Sequence, residues 1–293
     1  MTTAHRDYQQ SYYDRTYPRR AAAVRDQLAH PLFRSFNDRL AGHILDRVAA
    51  TRSSGPAGWG NSANSANGSS AHDPSTNGSR PAPLRIFETA CGEGFLGAAL
   101  LRVAKERGIE IGYSGADLSE GAVELSRPTL GDDLVVGDAA EVTAKMETGA
   151  VDVLIAKNLL HHLETPTDLL REAGRVVGPS GRVVIVEARL GSPHFMLLGA
   201  LAPRREKFYF FGARRNQAAV AAAGLTILDR RRFSFLPYEL FFQSRFGIMR
   251  KKFSTSDPRA IGRYTKLDDR LARALPWFAS YWVWVAAPTA PPP

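Results

Sequence analysis

The chain has a single cysteine, Cys91, in 293 residues. One thiol permits no internal disulfide, so the expected setting is a reducing cytoplasm. Long apolar runs are also missing: residues 191–203 are uncharged but only 13 long, and the apolar piece around Trp284 is bracketed by Pro276 and Pro288. A spanning helix needs about 20 apolar residues, so no transmembrane segment is expected. The N-terminus, with Arg6, Asp7, Arg15 and Arg19, lacks the apolar core of a signal peptide. No His/Cys cluster has metal-ligand spacing and no G-x-S-x-G signature occurs, which argues against a metal site and a Ser-His-Asp hydrolase.

Large apolar side chains almost vanish from residues 51–83, which contain the run Asn61-Ser62-Ala63-Asn64-Ser65-Ala66-Asn67-Gly68-Ser69-Ser70. Such a segment cannot offset its ordering entropy and reads as a flexible linker. Ahead of it, Leu32, Phe33, Phe36, Leu40, Ile44, Leu45 and Val48 recur at helical spacing, which predicts an amphipathic helix over 31–50. The organisation expected is therefore an N-terminal helical cap (1–50), the linker (51–83) and one domain (84–293).

Charge is uneven. Residues 84–190 carry 11 Lys or Arg against 17 Asp or Glu, whereas residues 191–293 carry 17 against 6, so the basic character of a chain with formal net charge +9 is in the tail. There Arg204-Arg205, Arg214-Arg215, Arg230-Arg231-Arg232 and Arg250-Lys251-Lys252 alternate with Phe208-Tyr209-Phe210-Phe211, Phe233, Phe235, Phe241 and Phe242. A solvated face explains such a pattern; so does peripheral contact with anionic membrane, grip on an acidic substrate or contact with nucleic-acid phosphates.

The stretch Leu84-Arg85-Ile86-Phe87-Glu88-Thr89-Ala90-Cys91-Gly92-Glu93-Gly94-Phe95 carries the chemistry. An apolar strand runs into an acid and then a small, glycine-rich turn that opens a helix, a design for close backbone approach to a nucleotide-like cofactor. Gly92-x-Gly94-x-x-Gly97 satisfies the dinucleotide pattern, with Asp117 about twenty residues further on, so a nicotinamide-dependent oxidoreductase is one alternative. Glu88 separates the readings, because an acid there repels a pyrophosphate and welcomes a cationic amino-acid group.

Glu88-x-Ala90-x-Gly92-x-Gly94 resembles the first motif of class I S-adenosylmethionine (SAM) methyltransferases, with Ala90 in place of the usual first glycine. The resemblance spans roughly residues 84–187. It implies that Asp117, followed by Leu118, holds the ribose hydroxyls, and that Asp138, followed by Ala139, faces the adenine amino group. It also implies that Asn158, after the fourth strand, lies beside the sulfonium. The cofactor expected is SAM, held by Glu88, Ala90, Gly92, Gly94, Asp117, Leu118, Asp138, Ala139 and Asn158.

Strands over 84–88, 112–116, 134–136, 151–156 and 183–187 alternate with helical segments, implying an α/β fold with a doubly wound, mostly parallel sheet. Residues 225–235 and 278–287, with a helix at 217–223 before the first, supply two more strands. The resemblance makes this a seven-stranded Rossmann-like methyltransferase fold with the last strand antiparallel. Residues 191–270 include the expected acceptor-pocket insertion. Tyr12, Tyr13 and Tyr17 lie on the approach to the N-terminal helix and are further candidates to touch SAM or acceptor. His161 and His162 are the candidate general bases by position. Lys157-Asn158-Leu159-Leu160 is not the Asn-Pro-Pro-Tyr type loop that clasps a base's amine, and Cys91, the sole thiol, lies in the cofactor turn. Nucleic acid is therefore a disfavoured acceptor, and the reading is O-methylation of a small-molecule, glycan or lipid-like acceptor. A noncatalytic protein binding anionic surfaces is the other alternative.

Overall fold

Strands whose residues are apolar at every position belong at the middle of a sheet covered on both faces. Val153–Ala156 and Val183–Val186 are such runs, each residue at most 1% exposed. They lie in β4 (Val153–Lys157) and β5 (Arg182–Ala188), flanked by β1 (Leu84–Thr89), β2 (Ile111–Asp117) and β3 (Leu134–Val136). The computed structural model describes residues 10–11, 26, 29–53, 82–189, 191–193, 195–196, 213–236 and 255–289, and for 51–53 the backbone alone. Most of the linker, Tyr12, Tyr13, Tyr17, Arg204-Arg205, Phe208-Tyr209-Phe210-Phe211, Phe241-Phe242 and Arg250-Lys251-Lys252 lie outside the described residues.

The seven strands are ordered β3-β2-β1-β4-β5-β7-β6, completed by β6 (Leu225–Phe233) and β7 (Tyr281–Pro288). The first five pair in parallel, and β7 runs antiparallel to both β5 and β6. This is the seven-stranded, mostly parallel Rossmann-like sheet with a reversed last strand that the sequence implied. A dinucleotide-binding sheet in the order 3-2-1-4-5-6 has no such reversed strand wedged beside β5.

Alternating strand side chains feed two helical layers. Ile86, Val153, Val184, Val186, Tyr281, Val283 and Val285 meet α1 (Pro31–Ser53), α2 (Phe95–Glu106) and α3 (Glu120–Leu130) on one face. On the other, Phe87, Leu154, Val183, Ile185, Trp282 and Trp284 meet α5 (Pro166–Val177) and α6 (Ala213–Ala222), with α4 (Ala139–Lys145) at the edge.

The apolar stripe of α1 is wholly in the first layer. Phe33 packs edge-on to Phe95 at 4.8 Å, and Phe36 lies against Phe233 and Tyr281 at 5.6 and 5.3 Å. Polar ties hold the outer side: Arg102 pairs with Asp38, and Arg39 pairs with Asp268 and Asp269 of α7 (Pro258–Ala274) at 2.8 and 2.6 Å. Asp268, 2% exposed, also accepts from Ser234 Oγ and from the Phe235 and Leu236 N–H groups, so this buried carboxylate is fully engaged. Among the described residues, no helix is long and apolar enough to cross a membrane.

Candidate active site

All five parallel strands end at one edge of the sheet, and the candidate cofactor residues and both histidines fall at or just past those ends. After β1 the chain turns through Ala90, Gly92 and Gly94, at φ +61°, +55° and +76°, before α2 begins at Phe95. The turn is tied to β2: the Cys91 N–H donates to the Ala116 carbonyl (2.9 Å), and the Gly92 N–H donates to Asp117 Oδ2 (2.7 Å). Asp117 Oδ1 accepts from the Ser119 N–H at 3.0 Å, so the carboxylate is fixed against the glycine turn.

The glycines do different work. A Cβ on Gly94 meets Leu130 and Ser126 at 2.8 Å, and one on Gly97 meets the Tyr113 ring at 2.5 Å. Both therefore exist for close packing of α2. A Cβ on Gly92 meets nothing within 4 Å, so the space over Gly92 is open beside the Asp117 carboxylate.

Glu88, 1% exposed, receives the Tyr113 hydroxyl at 2.7 Å, and burial beside this carboxylate raises the Tyr113 pKa well above its ordinary value. The Cys91 thiol is likewise pushed up, first by burial and then by Asp117, Glu88 and Glu93. A thiol so placed is not a nucleophile. Three carboxylates around one turn make a site that repels a pyrophosphate and suits a cofactor with cationic sulfur and nitrogen. The residues thus fit SAM: Asp117 has the carboxylate for a vicinal diol, and the turn is open where the ligand approaches.

Asp138 caps α4, its Oδ1 accepting from the Ala140 and Glu141 N–H groups at 2.9 and 3.3 Å. That capping is a sufficient structural reason for an aspartate here. Gly137 ties β3 to β2 by donating to the Asp117 carbonyl at 2.8 Å, which places Asp138 one strand from Asp117. Leu118 is half-buried, and Ala139 packs on the second core layer.

Beyond β4, Asn158 adopts φ +51° and its N–H donates to the Val186 carbonyl at 2.7 Å. A 3₁₀ turn, Leu160–His162, follows. Its organiser is Glu187 at the end of β5, 2% exposed. Glu187 Oε1 accepts from the Leu159 and Leu160 N–H groups at 3.0 and 2.7 Å, and Oε2 lies 2.6 Å from His161 Nδ1. His162 is half-buried, its ring tilted by 42° against that of His161 at 4.3 Å between centroids. The two histidines, equivalent by position in the sequence, are thereby distinguished.

Sequence reasoning gave Glu187 and Tyr113 no site role. Glu187 had a usable signal: an acid closing a wholly apolar strand, as Glu88 closes β1. Tyr113 had none, because its bond to Glu88 depends on strand register.

Sheet order, reversed β7, an acid-rimmed glycine turn and a carboxylate at the end of β2 together define a SAM-dependent methyltransferase. Residues 87–185 match the family model described as "Methyltransferase domain". No curated protein matches the chain. Among solved structures, it is similar to a SAM-dependent methyltransferase from Archaeoglobus fulgidus (18% identity, 70% of this chain and 86% of that one, TM-score 0.47). It is also similar to geranyl diphosphate C-methyltransferase from Streptomyces coelicolor (15%, 70% and 72%, TM-score 0.46). A third is phosphoethanolamine N-methyltransferase 2 from Haemonchus contortus (16%, 73% and 50%, TM-score 0.46).

Proposed function

We propose that the protein O-methylates a small-molecule, glycan or lipid-like acceptor, with His161 as general base and Glu187 as the residue that positions it. The observation that carries this reading is the 2.6 Å contact between His161 Nδ1 and a Glu187 carboxylate that is itself anchored by two backbone N–H groups. A neutral imidazole that donates from Nδ1 has its basic lone pair on Nε2, the arrangement needed to take a proton from a hydroxyl. SAM supplies an activated methyl on a positively charged sulfur. The chain's own tasks are to bind it, align the acceptor and remove one proton.

In this reading Asp117, with Leu118, holds the ribose, and Glu88, held by Tyr113, faces the amino-acid end. Ala90, Gly92 and Gly94 form the cradle, Asp138 and Ala139 border the adenine, and Asn158 borders the methyl donor. Residues 191–270 contribute the acceptor pocket. The basic C-terminal region provides peripheral contact with anionic membrane in a cytoplasmic enzyme, and nucleic acid is not the acceptor.

The test is calorimetric titration with S-adenosylhomocysteine, coupled to transfer of labelled methyl into metabolite and lipid extracts. Asp117→Ala should weaken cofactor binding by about tenfold or more, the equivalent of one lost charge-assisted hydrogen bond. His161→Gln should leave that binding intact and lower transfer by about 10²–10⁴-fold, while His162→Gln has little effect. Undiminished turnover in His161→Gln would sink the base assignment.

A further inference from the structure

Three guanidinium groups converge on one indole at the carboxyl edge of the sheet. The Cζ atoms of Arg189 and Arg230 each lie 4.9 Å from the Trp282 ring centroid, and that of Arg232 lies 5.2 Å away. Register explains the convergence. Arg232 stands opposite Trp282 and Arg230 opposite Trp284, so both emerge on the face of Trp282. On the other side of β7, Trp282 stands opposite Glu187, the residue that holds His161. Glu187, Trp282 and Arg232 therefore form one row across three strands, with Glu187 and Arg232 about two strand spacings, or roughly 10 Å, apart.

Among the described residues, no carboxylate compensates this positive charge. Arg189 donates to the Pro276 and Ala279 carbonyls at 2.7 and 2.8 Å, which holds it in place. Arg230 and Arg232 are exposed, and among the described residues neither they nor Arg189 has an ion-pair partner. The acid of the same strand, Asp229, is engaged on the opposite face by His43 and Arg47. Burial and the neighbouring Arg232 hold the Arg189 pKa below its ordinary value, the electrostatic sign of crowded like charge. Charges that merely keep an edge strand from pairing need no such convergence. An oxyanion set against the cluster relieves the repulsion, and guanidinium forks grip phosphate and carboxylate in two-point fashion.

We propose that Arg230 and Arg232, backed by Arg189 on the Trp282 ring, seat an oxyanion carried by the methyl acceptor. This rests on the methyl-transfer reading above and narrows it to an anionic acceptor, phosphate- or carboxylate-bearing, whose anion sits roughly 10 Å from the Glu187–His161 pair.

The test is calorimetric titration of the full chain with inorganic pyrophosphate, with S-adenosylhomocysteine titrated separately. Three proteins are compared: wild type, Arg230→Gln/Arg232→Gln, and Arg259→Gln/Arg263→Gln, which removes equal charge from exposed positions of α7. The expected result is pyrophosphate binding to wild type and to the α7 variant, weakened at least about tenfold in Arg230→Gln/Arg232→Gln, with cofactor affinity equal in all three. Equal pyrophosphate affinity in all three, equal loss in both variants, or no binding to a wild type that binds S-adenosylhomocysteine would overturn the proposal. Retention on phosphatidylglycerol vesicles that requires Arg230 and Arg232, without binding of soluble pyrophosphate, would overturn it in favour of a membrane surface. Absence of S-adenosylhomocysteine binding strikes the cofactor reading instead, and the pyrophosphate comparison still decides the anion seat.

Discussion

Replacing Gly97 by alanine tests whether the third glycine after β1 is there for packing. Gly97 lies in the first turn of α2, where glycine costs helix stability relative to alanine by about 0.5–1 kcal/mol. With open space beside it, Gly97→Ala would stabilise the protein by that amount. The new Cβ instead falls 2.5 Å from Tyr113 Cζ and 2.6 Å from its hydroxyl oxygen. Tyr113 is 7% exposed, and its hydroxyl is committed to Glu88, so the ring cannot swing away without cost. Overpacking of this kind costs about 1–3 kcal/mol, and losing a hydrogen bond to a buried carboxylate costs about 1.5–3. Set against the propensity gain, the net expectation is a loss of about 1.5–5.5 kcal/mol. Urea unfolding followed by tryptophan fluorescence should show a lower midpoint at unchanged slope. S-adenosylhomocysteine binding should weaken as well, since Glu88 loses the group that orients it. A variant at least as stable as wild type, with cofactor affinity intact, would refute both the packing role and the Tyr113–Glu88 link.

Ala90 occupies the left-handed region at φ +61°, which costs an L-residue about 1–2 kcal/mol, against about 0.4–1 kcal/mol for the extra unfolded-state freedom of glycine. Ala90→Gly should therefore raise stability by about 0.5–1 kcal/mol in urea unfolding, and a loss would contradict this reading of the turn. His43 is 7% exposed and is lowered to about 4, first by burial and then by Arg231, with Asp229 opposing. Because its folded-state pKa lies below the unfolded value of 6.5, unfolding takes up a proton as pH falls through that interval, and stability is lost. From pH 7 to pH 4 this one residue should cost up to about 3 kcal/mol. The stability difference between wild type and His43→Gln should shrink accordingly, and parallel pH curves would refute it.

Strand and helix positions were legible because they follow from local pattern. All-apolar runs became the central strands, and the stripe Phe33, Phe36, Leu40 and Ile44 became the buried side of α1. Boundaries moved modestly: the helix read over 217–223 begins at Ala213, and the strand read over 278–287 begins at Tyr281, because Arg189 captures the Pro276 and Ala279 carbonyls before the ladder starts. The glycine turn and Asp117 were also legible, since a positive φ and a strand-end carboxylate leave marks in sequence. What sequence could not assign is which groups meet across strands. His161 rather than His162 faces Glu187, Tyr113 rather than solvent satisfies Glu88, and three arginines, two from β6 and one just past β5, share Trp282. Each of these depends on register between chain segments far apart in sequence, and a one-residue slip would send every such side chain to the opposite face. The residues themselves supplied the cofactor chemistry; only the packed sheet decided which histidine has a carboxylate behind it and where the positive charge gathers.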